Sequence, residues 1–179
     1  MTFFVIQVRS QKISQYFDTA RKQLEKIRVK LHWPRRNLRI RKKGKWQEAL
    51  SPIFPGYLFL ETETITPDIY NSCRQTPGFI RFLNDNRHIT PLSGRDKEIV
   101  AHFLNLGGVV GYSLVDFDKN QRVRIISGPL KGLEGHIVKV NRRKQRIKLR
   151  LELYKDSFFI DFGFESIEKV RKAEKNYEQ

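Results

Sequence analysis

Hydrophobic positions along the chain change their spacing several times, and each change predicts a different element. Phe3 to Val8 is an apolar run broken only by Gln7 and rich in strand-favouring residues, so it predicts a buried first strand. From Ile13 the period lengthens. Ile13, Phe17, Ala20, Leu24, Ile27 and Leu31 follow at helical steps, which places all of them on one helical face. Ser10 is the expected cap and Pro34 the expected stop, because proline lacks an amide hydrogen and disfavours helix at the residue before it. Strand resumes around Leu38–Ile40, passes a loop tip at Lys42-Lys43-Gly44-Lys45, and returns as Tyr57-Leu58-Phe59-Leu60, entered through Pro55-Gly56. Pro67 opens a short helix over Asp68–Arg74. Thr76-Pro77-Gly78 turns into a strand over Phe79–Leu83, and a turn at Asn84-Asp85-Asn86 follows. Ser93 and Asp96 match a capping box ahead of a helix carrying Ile99, Val100, Phe103, Leu104 and Leu106. Strands and helices in this order predict an α+β fold, an antiparallel sheet flanked by helices.

Gly107-Gly108 and Gly111 break the pattern, and Tyr112 to Asn120 shows neither period, so residues 107–118 are expected to be a linker between a first domain, 1–106, and a second, 119–171. The second is expected to consist of short strands, Arg122–Ile126, His136–Val140, Arg146–Leu153 and Phe158–Asp161, with a last one over Ser166–Val170. That is the pattern of a small β-barrel. In residues 146–153 alternation is strict, so Ile147, Leu149, Leu151 and Leu153 should face in while Arg146, Lys148 and Arg150 form an outward basic row. Residues 172–179 form a charged tail that is expected to fray.

Charge then narrows the partners. A formal net charge of +16 and a pI near 10.2 favour a polyanion, nucleic acid first. No run approaches the roughly 18 apolar residues that span a bilayer, so no membrane partner is expected. The amino terminus, lacking a basic leader, reads as strand and not as signal peptide, which points to the cytoplasm. Cys73 is the single cysteine, which excludes an internal disulfide and a thiolate metal cluster. His32, His88, His102 and His136 lack ligand spacing, and no nucleophile motif is present, so neither enzyme activity nor a cofactor or metal is expected. Asp116, Asp118, Asp156 and Asp161 could surround a metal, but offsetting local positive charge or capping turns is the favoured reading.

Two basic stretches stand out. Arg28 to Lys45 contains no acid, and Trp33 and Trp46 lie near it. Arg35, Arg36, Arg39, Arg41, Lys42 and Lys43, joined by Arg9 at the end of the first strand, are candidates for contact with nucleic acid, against the plain alternative of a solvated face. Lys119 to Arg150 contains Glu134 as its single acid. Here Arg122, Arg124, Lys131, Lys139, Arg142, Arg143, Lys144, Arg146, Lys148 and Arg150 are candidates for gripping duplex RNA by shape and phosphates, against the alternative of a barrel without a ligand.

Between those cations runs Ser127-Gly-Pro-Leu-Lys-Gly-Leu-Glu-Gly-His-Ile-Val-Lys-Val140. Gly128, Gly132 and Gly135 read as positions of tight reversal or close backbone approach, with Pro129 fixing φ beside the first. Residues 122–148 resemble the KOW motif on Gly128, Pro129, Gly132, Gly135, Ile137 and Val140. The first half resembles the amino-terminal (NGN) domain of the NusG family of transcription elongation factors, through Phe54-Pro55-Gly56-Tyr57-Leu58-Phe59, Thr76-Pro77-Gly78-Phe79 and Pro91-Leu92-Ser93. The resemblance implies an SH3-like barrel for the second domain, and a first domain that binds the clamp helices of RNA polymerase and bridges the DNA channel. Phe54, Pro55 and Tyr57, with Phe4 added, would be the polymerase contact; from the residues alone, the aromatics read as core. The basic balance, and Gln11-Lys12-Ile13 where family members carry Gly-x-Glu, favour a specialised paralogue of the RfaH or LoaP kind. In LoaP-type factors the KOW domain is implicated in binding an RNA hairpin, so a nascent RNA hairpin is the expected partner, and the protein is expected to be a monomer. A general NusG factor with a protein-binding KOW domain, and a ribosomal-type KOW protein, are the alternatives.

Overall fold

The computed structural model describes residues 1–83, 86–154 and 156–168. The first two residues of the expected turn at Asn84-Asp85-Asn86, the end of the expected strand Ser166–Val170, and the tail lie outside the described residues. In chain order the elements are β1 (Phe3–Val8), α1 (Ile13–Lys26), β2 (Lys30–His32), β3 (Arg35–Lys42), β4 (Lys45–Pro52), β5 (Tyr57–Glu61), α2 (Pro67–Gln75), β6 (Phe79–Phe82), α3 (Gly94–Asn105), β7 (Val109–Val110), β8 (Ser113–Phe117), β9 (Val123–Ser127), β10 (Ile137–Asn141), β11 (Arg146–Leu153) and β12 (Asp156–Ser166). They form two compact units: residues 1–34 with 52–108, and residues 35–51 with 109 onward.

In the first unit the sheet runs β2-β5-β1-β6, antiparallel throughout, with Phe4 opposite Leu60 and Ile6 opposite Leu58. The apolar run of β1 makes sense in this position because the strand is central and buried on both faces. Phe4, Ile6, Val8, Leu58 and Leu60 pack in one cluster with Ile13, Tyr16, Ala20 and Leu24 of α1 and Ile69 and Cys73 of α2. The ring of Phe54 meets Phe59 of β5 at 5.5 Å and Phe103 of α3 at 6.3 Å, edge to face. Tyr16 donates its hydroxyl proton to the Cys73 carbonyl at 2.9 Å. Burial pushes the Cys73 thiol up to about 12, so it packs as a small apolar residue.

The first helix is shorter than its periodicity predicts. It ends at Lys26 because Arg28 takes a left-handed φ of 59°, and the amides of Ile27 and Val29 fold back onto the Leu24 carbonyl while that of Arg28 reaches Glu25. Ile27 is therefore exposed, and Leu31 continues the buried face from strand β2, opposite Leu60. Pro34 stops nothing, since the helix has already ended. Ser10 lies in a short 3-10 turn, Ser10–Lys12, instead of capping α1. Ser93 precedes α3 without a side-chain cap bond, whereas Thr66 does cap α2, accepting from the Ile69 amide at 3.4 Å.

The second unit contains a five-stranded sheet, β10-β11-β12-β8-β9, and a three-stranded one, β4-β3-β7. Ile147, Leu149, Leu151 and Leu153 are all buried, as the alternation predicts, with Ile147 opposite Phe162 and Leu149 opposite Ile160. Strand β12 runs past the expected Asp161 to Ser166, and its end pairs in parallel with β8, Phe164 opposite Ser113. The expected linker, 107–118, thus holds two strands. Its periodicity is hidden because one of the inward positions of β8 is Ser113, fully buried, whose hydroxyl accepts the Leu130 amide at 3.0 Å. Strands β3 and β4 join through Lys43 and Gly44, both at positive φ (49° and 79°), as a tight two-residue hairpin requires.

Gly128 sits at φ 95°, and a β-carbon there would fall 2.7 Å from the Ser113 Cα, so its lack of a side chain is demanded twice. Pro129 beside it is buried. Gly132 meets the expectation of a reversal by its φ of 84°, but Gly135 meets neither part of it: φ is not positive, and nothing lies within 4 Å of the place a β-carbon would take.

Candidate nucleic-acid interface

The expected polymerase patch of Phe4, Phe54, Pro55 and Tyr57 is mostly buried. Phe4, Phe54 and Tyr57 are buried, at 4%, 1% and 5% exposure, and only Pro55 of the four reaches the surface. The physical reason is the sheet itself: Phe4 faces the α1–α2 core, and Phe54 is held in the aromatic contact with Phe59 and Phe103. Gly56, at φ 84°, accepts the Val8 amide at 2.8 Å, and Tyr57 donates its amide to the Phe54 carbonyl at 3.2 Å. The corner is rigid, with Pro55 at its exposed apex. Arg9 is exposed in this same unit.

The basic hairpin β3–β4 belongs to the second unit, and there it meets the basic residues of β11 and of the turn before it. A cleft of about 270 Å³ is lined by Leu38, Arg39, Trp46, Tyr112, Arg143 and Arg146, among others. A neighbouring cleft shares Arg39, Trp46, Lys144 and Arg146 and adds Arg41. Trp46 is 62% exposed although it is a large aromatic. Trp33, the other tryptophan, packs on Phe17 at 5.6 Å in the first unit.

Around the cleft the side chains hold one another in place. Tyr112 donates its hydroxyl proton to Glu48 at 2.7 Å, and Arg39 pairs with the other Glu48 oxygen at 3.1 Å while lying over the Tyr112 ring. Arg146 donates to the Arg39 carbonyl. Burial, then the bond to Glu48, raises the Tyr112 phenol to about 12. The same bond, ahead of Arg39, holds the exposed Glu48 carboxyl below its ordinary value.

The expected basic residues divide by what they touch. Arg36 is 8% exposed, donates to the Asp161 carbonyl at 2.6 Å and lies over Phe162, so it is a structural cation and not a nucleic-acid contact; burial lowers its pKa to about 10. Arg142 lies over Phe117 at 3.7 Å and bonds Gln121, which ties it to its own unit. Arg124 pairs with Asp116 at 2.8 Å, Arg150 with Glu152 at 3.0 Å and Lys148 with Asp161 at 3.8 Å, and Lys131 donates to the Ile125 carbonyl. Asp118 accepts the Arg122 amide at 2.8 Å, closing a turn. Asp116 and Asp161 thus offset charge, and Asp118 closes a turn. Arg41, Lys42, Lys43, Lys139, Arg143 and Lys144 are exposed, Arg35 is half-buried, and the outward row of β11 is half-covered at Arg146 and Lys148.

Tyr112 and Gly163 were hidden from sequence reasoning. Tyr112 fell in the expected linker, and a glycine between Phe162 and Phe164 was the one sign of a close approach.

With this geometry in place, the relatives are informative. The family model "Transcription termination factor nusG" matches residues 1–101, and a KOW motif matches residues 119–150. The chain belongs to the NusG family. It is 27% identical over 134 residues to the transcription termination/antitermination protein NusG of Borreliella burgdorferi, covering 71% of this chain and 73% of that one. It is 25% identical to the protein of the same description in Thermus thermophilus, covering 73% and 74%, and 25% identical to that of Bacillus subtilis, covering 72% and 73%. A solved structure of Thermotoga maritima NusG, described as showing domain interaction, shares the fold with a TM-score of 0.54 at 18% identity, covering 90% of this chain and 93% of that one. The α+β architecture is therefore as expected, while the second compact unit takes in residues 35–51 besides the KOW match. Among the described residues no helix is long and apolar enough to cross a membrane.

Proposed function

We propose that this protein is a specialised NusG-type elongation factor that promotes processive antitermination, holding RNA polymerase through its NGN domain and nascent RNA through its KOW domain. The observation that carries the RNA half is the exposed Arg143-Lys144 tip, continued by Lys139 and Arg146, in a chain of net charge +16. The polymerase half rests on the rigid corner: buried Phe4, Phe54 and Tyr57 fix its shape from below, and Pro55 presents it to the clamp helices. Arg9, Arg39, Arg41, Lys42 and Lys43 supply exposed charge for upstream or non-template DNA. The protein acts as a monomer in the cytoplasm.

Single-round transcription with purified polymerase, across a terminator preceded by an RNA hairpin, tests this directly. The factor should raise read-through, and no affinity for elongating polymerase would sink the reading. Arg143→Gln with Lys144→Gln should lower hairpin affinity and flatten its salt dependence by about one unit per lost phosphate contact.

A general NusG role is the second reading, favoured by the three relatives named above, each described as a termination/antitermination protein. It would be supported by capture of a termination factor on the KOW domain.

A further inference from the structure

The cleft between hairpin β3–β4 and the Arg143–Arg146 segment has a composition that phosphate binding alone does not require. A surface that only neutralises phosphates needs cations. This one is also lined by a largely exposed indole, Trp46, together with Arg39, Arg146 and the buried Leu38 and Phe164. An exposed indole offers a π-face on which a nucleic-acid base can stack.

The ring is also flanked by charge. Lys144 lines both clefts, Arg143 the first and Arg41 the second. Arg39 and Arg146 are positioned by Glu48 and by the Arg39 carbonyl, so the walls are pre-arranged. Two acids also line the clefts, Glu165 the first and Asp161 the second; Asp161 already faces Lys148 at 3.8 Å.

We infer that this cleft binds an unpaired nucleotide of a nucleic-acid strand, its base stacked on Trp46 and its flanking phosphates held by Arg41, Arg143 and Lys144. Base–aromatic stacking tolerates any base, because every base has a π-face, and it excludes a base that is still paired and stacked in a duplex. The site therefore selects single strands over helices. It deepens the RNA-binding reading of the KOW domain, on which it rests, by adding an unpaired segment to the hairpin expected there. The same chemistry would accept an unpaired segment of DNA.

The test uses the full chain and three labelled probes: an eight-nucleotide RNA without secondary structure, the DNA of the same sequence, and a blunt RNA hairpin whose two strands are closed by a non-nucleotide linker, so that it holds no unpaired base. Trp46→Ala should weaken binding of the unpaired probes about tenfold or more, leave the hairpin nearly unchanged, and leave the salt slope of all three intact, since no phosphate contact is lost. Trp46→Phe should restore most of the affinity. Arg143→Gln with Lys144→Gln should instead reduce the slope. A Trp46→Ala effect on both unpaired probes, or on RNA or DNA alone, supports the site and identifies its strand. Unchanged affinity for both, or an equal loss on the hairpin, overturns it. If the wild type binds the hairpin but Trp46→Ala leaves the unpaired probes unaffected, only the stacking site falls; if no probe binds, the RNA-binding reading falls with it.

Discussion

Gly163 lies so close to Tyr112 that a β-carbon built on the glycine would fall 2.1 Å from the tyrosine ring. No side-chain motion of alanine relieves such a clash, because a methyl group has no torsion to turn. Gly163→Ala should therefore destabilise the second unit by about 1–3 kcal/mol in urea unfolding. Tyr112→Ala removes the obstruction, so the double variant should lose less than the sum of the two singles. Strict additivity would show that the ring and the glycine are not in conflict.

The bond from Tyr112 to Glu48 predicts a response to alkali. Burial raises the phenol from 10.0 to about 12, so the folded state keeps the proton that the unfolded chain releases first. The stabilisation is present below pH 10 and is lost as the pH rises towards 12. Thermal melting across this window should fall more steeply for the native protein than for Tyr112→Phe. Parallel curves would remove Tyr112 as the cause.

Tyr57→Ala separates a core role from a surface one. At 5% exposure its loss should cost about 3 kcal/mol or more, seen as a lower denaturation midpoint for the first unit. Pro55→Ala should stay within about 0.5 kcal/mol of native stability while weakening the proposed polymerase contact. A stable Tyr57→Ala protein would overturn the burial argument.

At the turn between β10 and β11, neighbouring arginines should behave differently. Arg142→Ala gives up the contact with Phe117 and the bonds to Gln121, so it should lower stability by about 0.5–1 kcal/mol, with little change in RNA affinity. Arg143→Ala should do the reverse. Thermal melting alongside RNA titration distinguishes them.

Gly128→Ala should cost about 1–3 kcal/mol, because alanine is strained at φ 95° and also meets Ser113. Gly135→Ala, free of both constraints, is the internal control; equal losses at the two positions would contradict the geometry.

These residues also show what the chain's text reveals. The period-two pattern of 146–153 survives in the fold because one face is wholly buried, and a register slip would invert it. The α1 pattern overshoots its helix because Leu31 returns to the buried side after the chain reverses at Arg28, a reversal made by a residue that carries no turn signature. Ser113 conceals strand β8 because a buried hydroxyl that finds a partner is as good an inward residue as a valine, yet reads as polar. For the site, charge and the presence of Trp46 were visible. Which arginines are engaged within the fold was not, since Arg36 and Arg142 are held by Asp161, Phe162, Phe117 and Gln121, all distant in sequence.

Strand β8 finds its parallel partner only in the last residues of β12, Phe164 to Ser166. During synthesis the β8–β9 pair emerges first and must wait, with one edge open, until Ser166 has left the ribosome. In the first unit β1 waits in the same way for β5 and β6, but that wait ends once Phe82 has emerged. The two halves of the chain therefore reach working order at different times. A nascent molecule passes through an interval in which the first unit can close its sheet while the second still exposes an unpaired strand, and chaperone capture or misassociation would act in that interval.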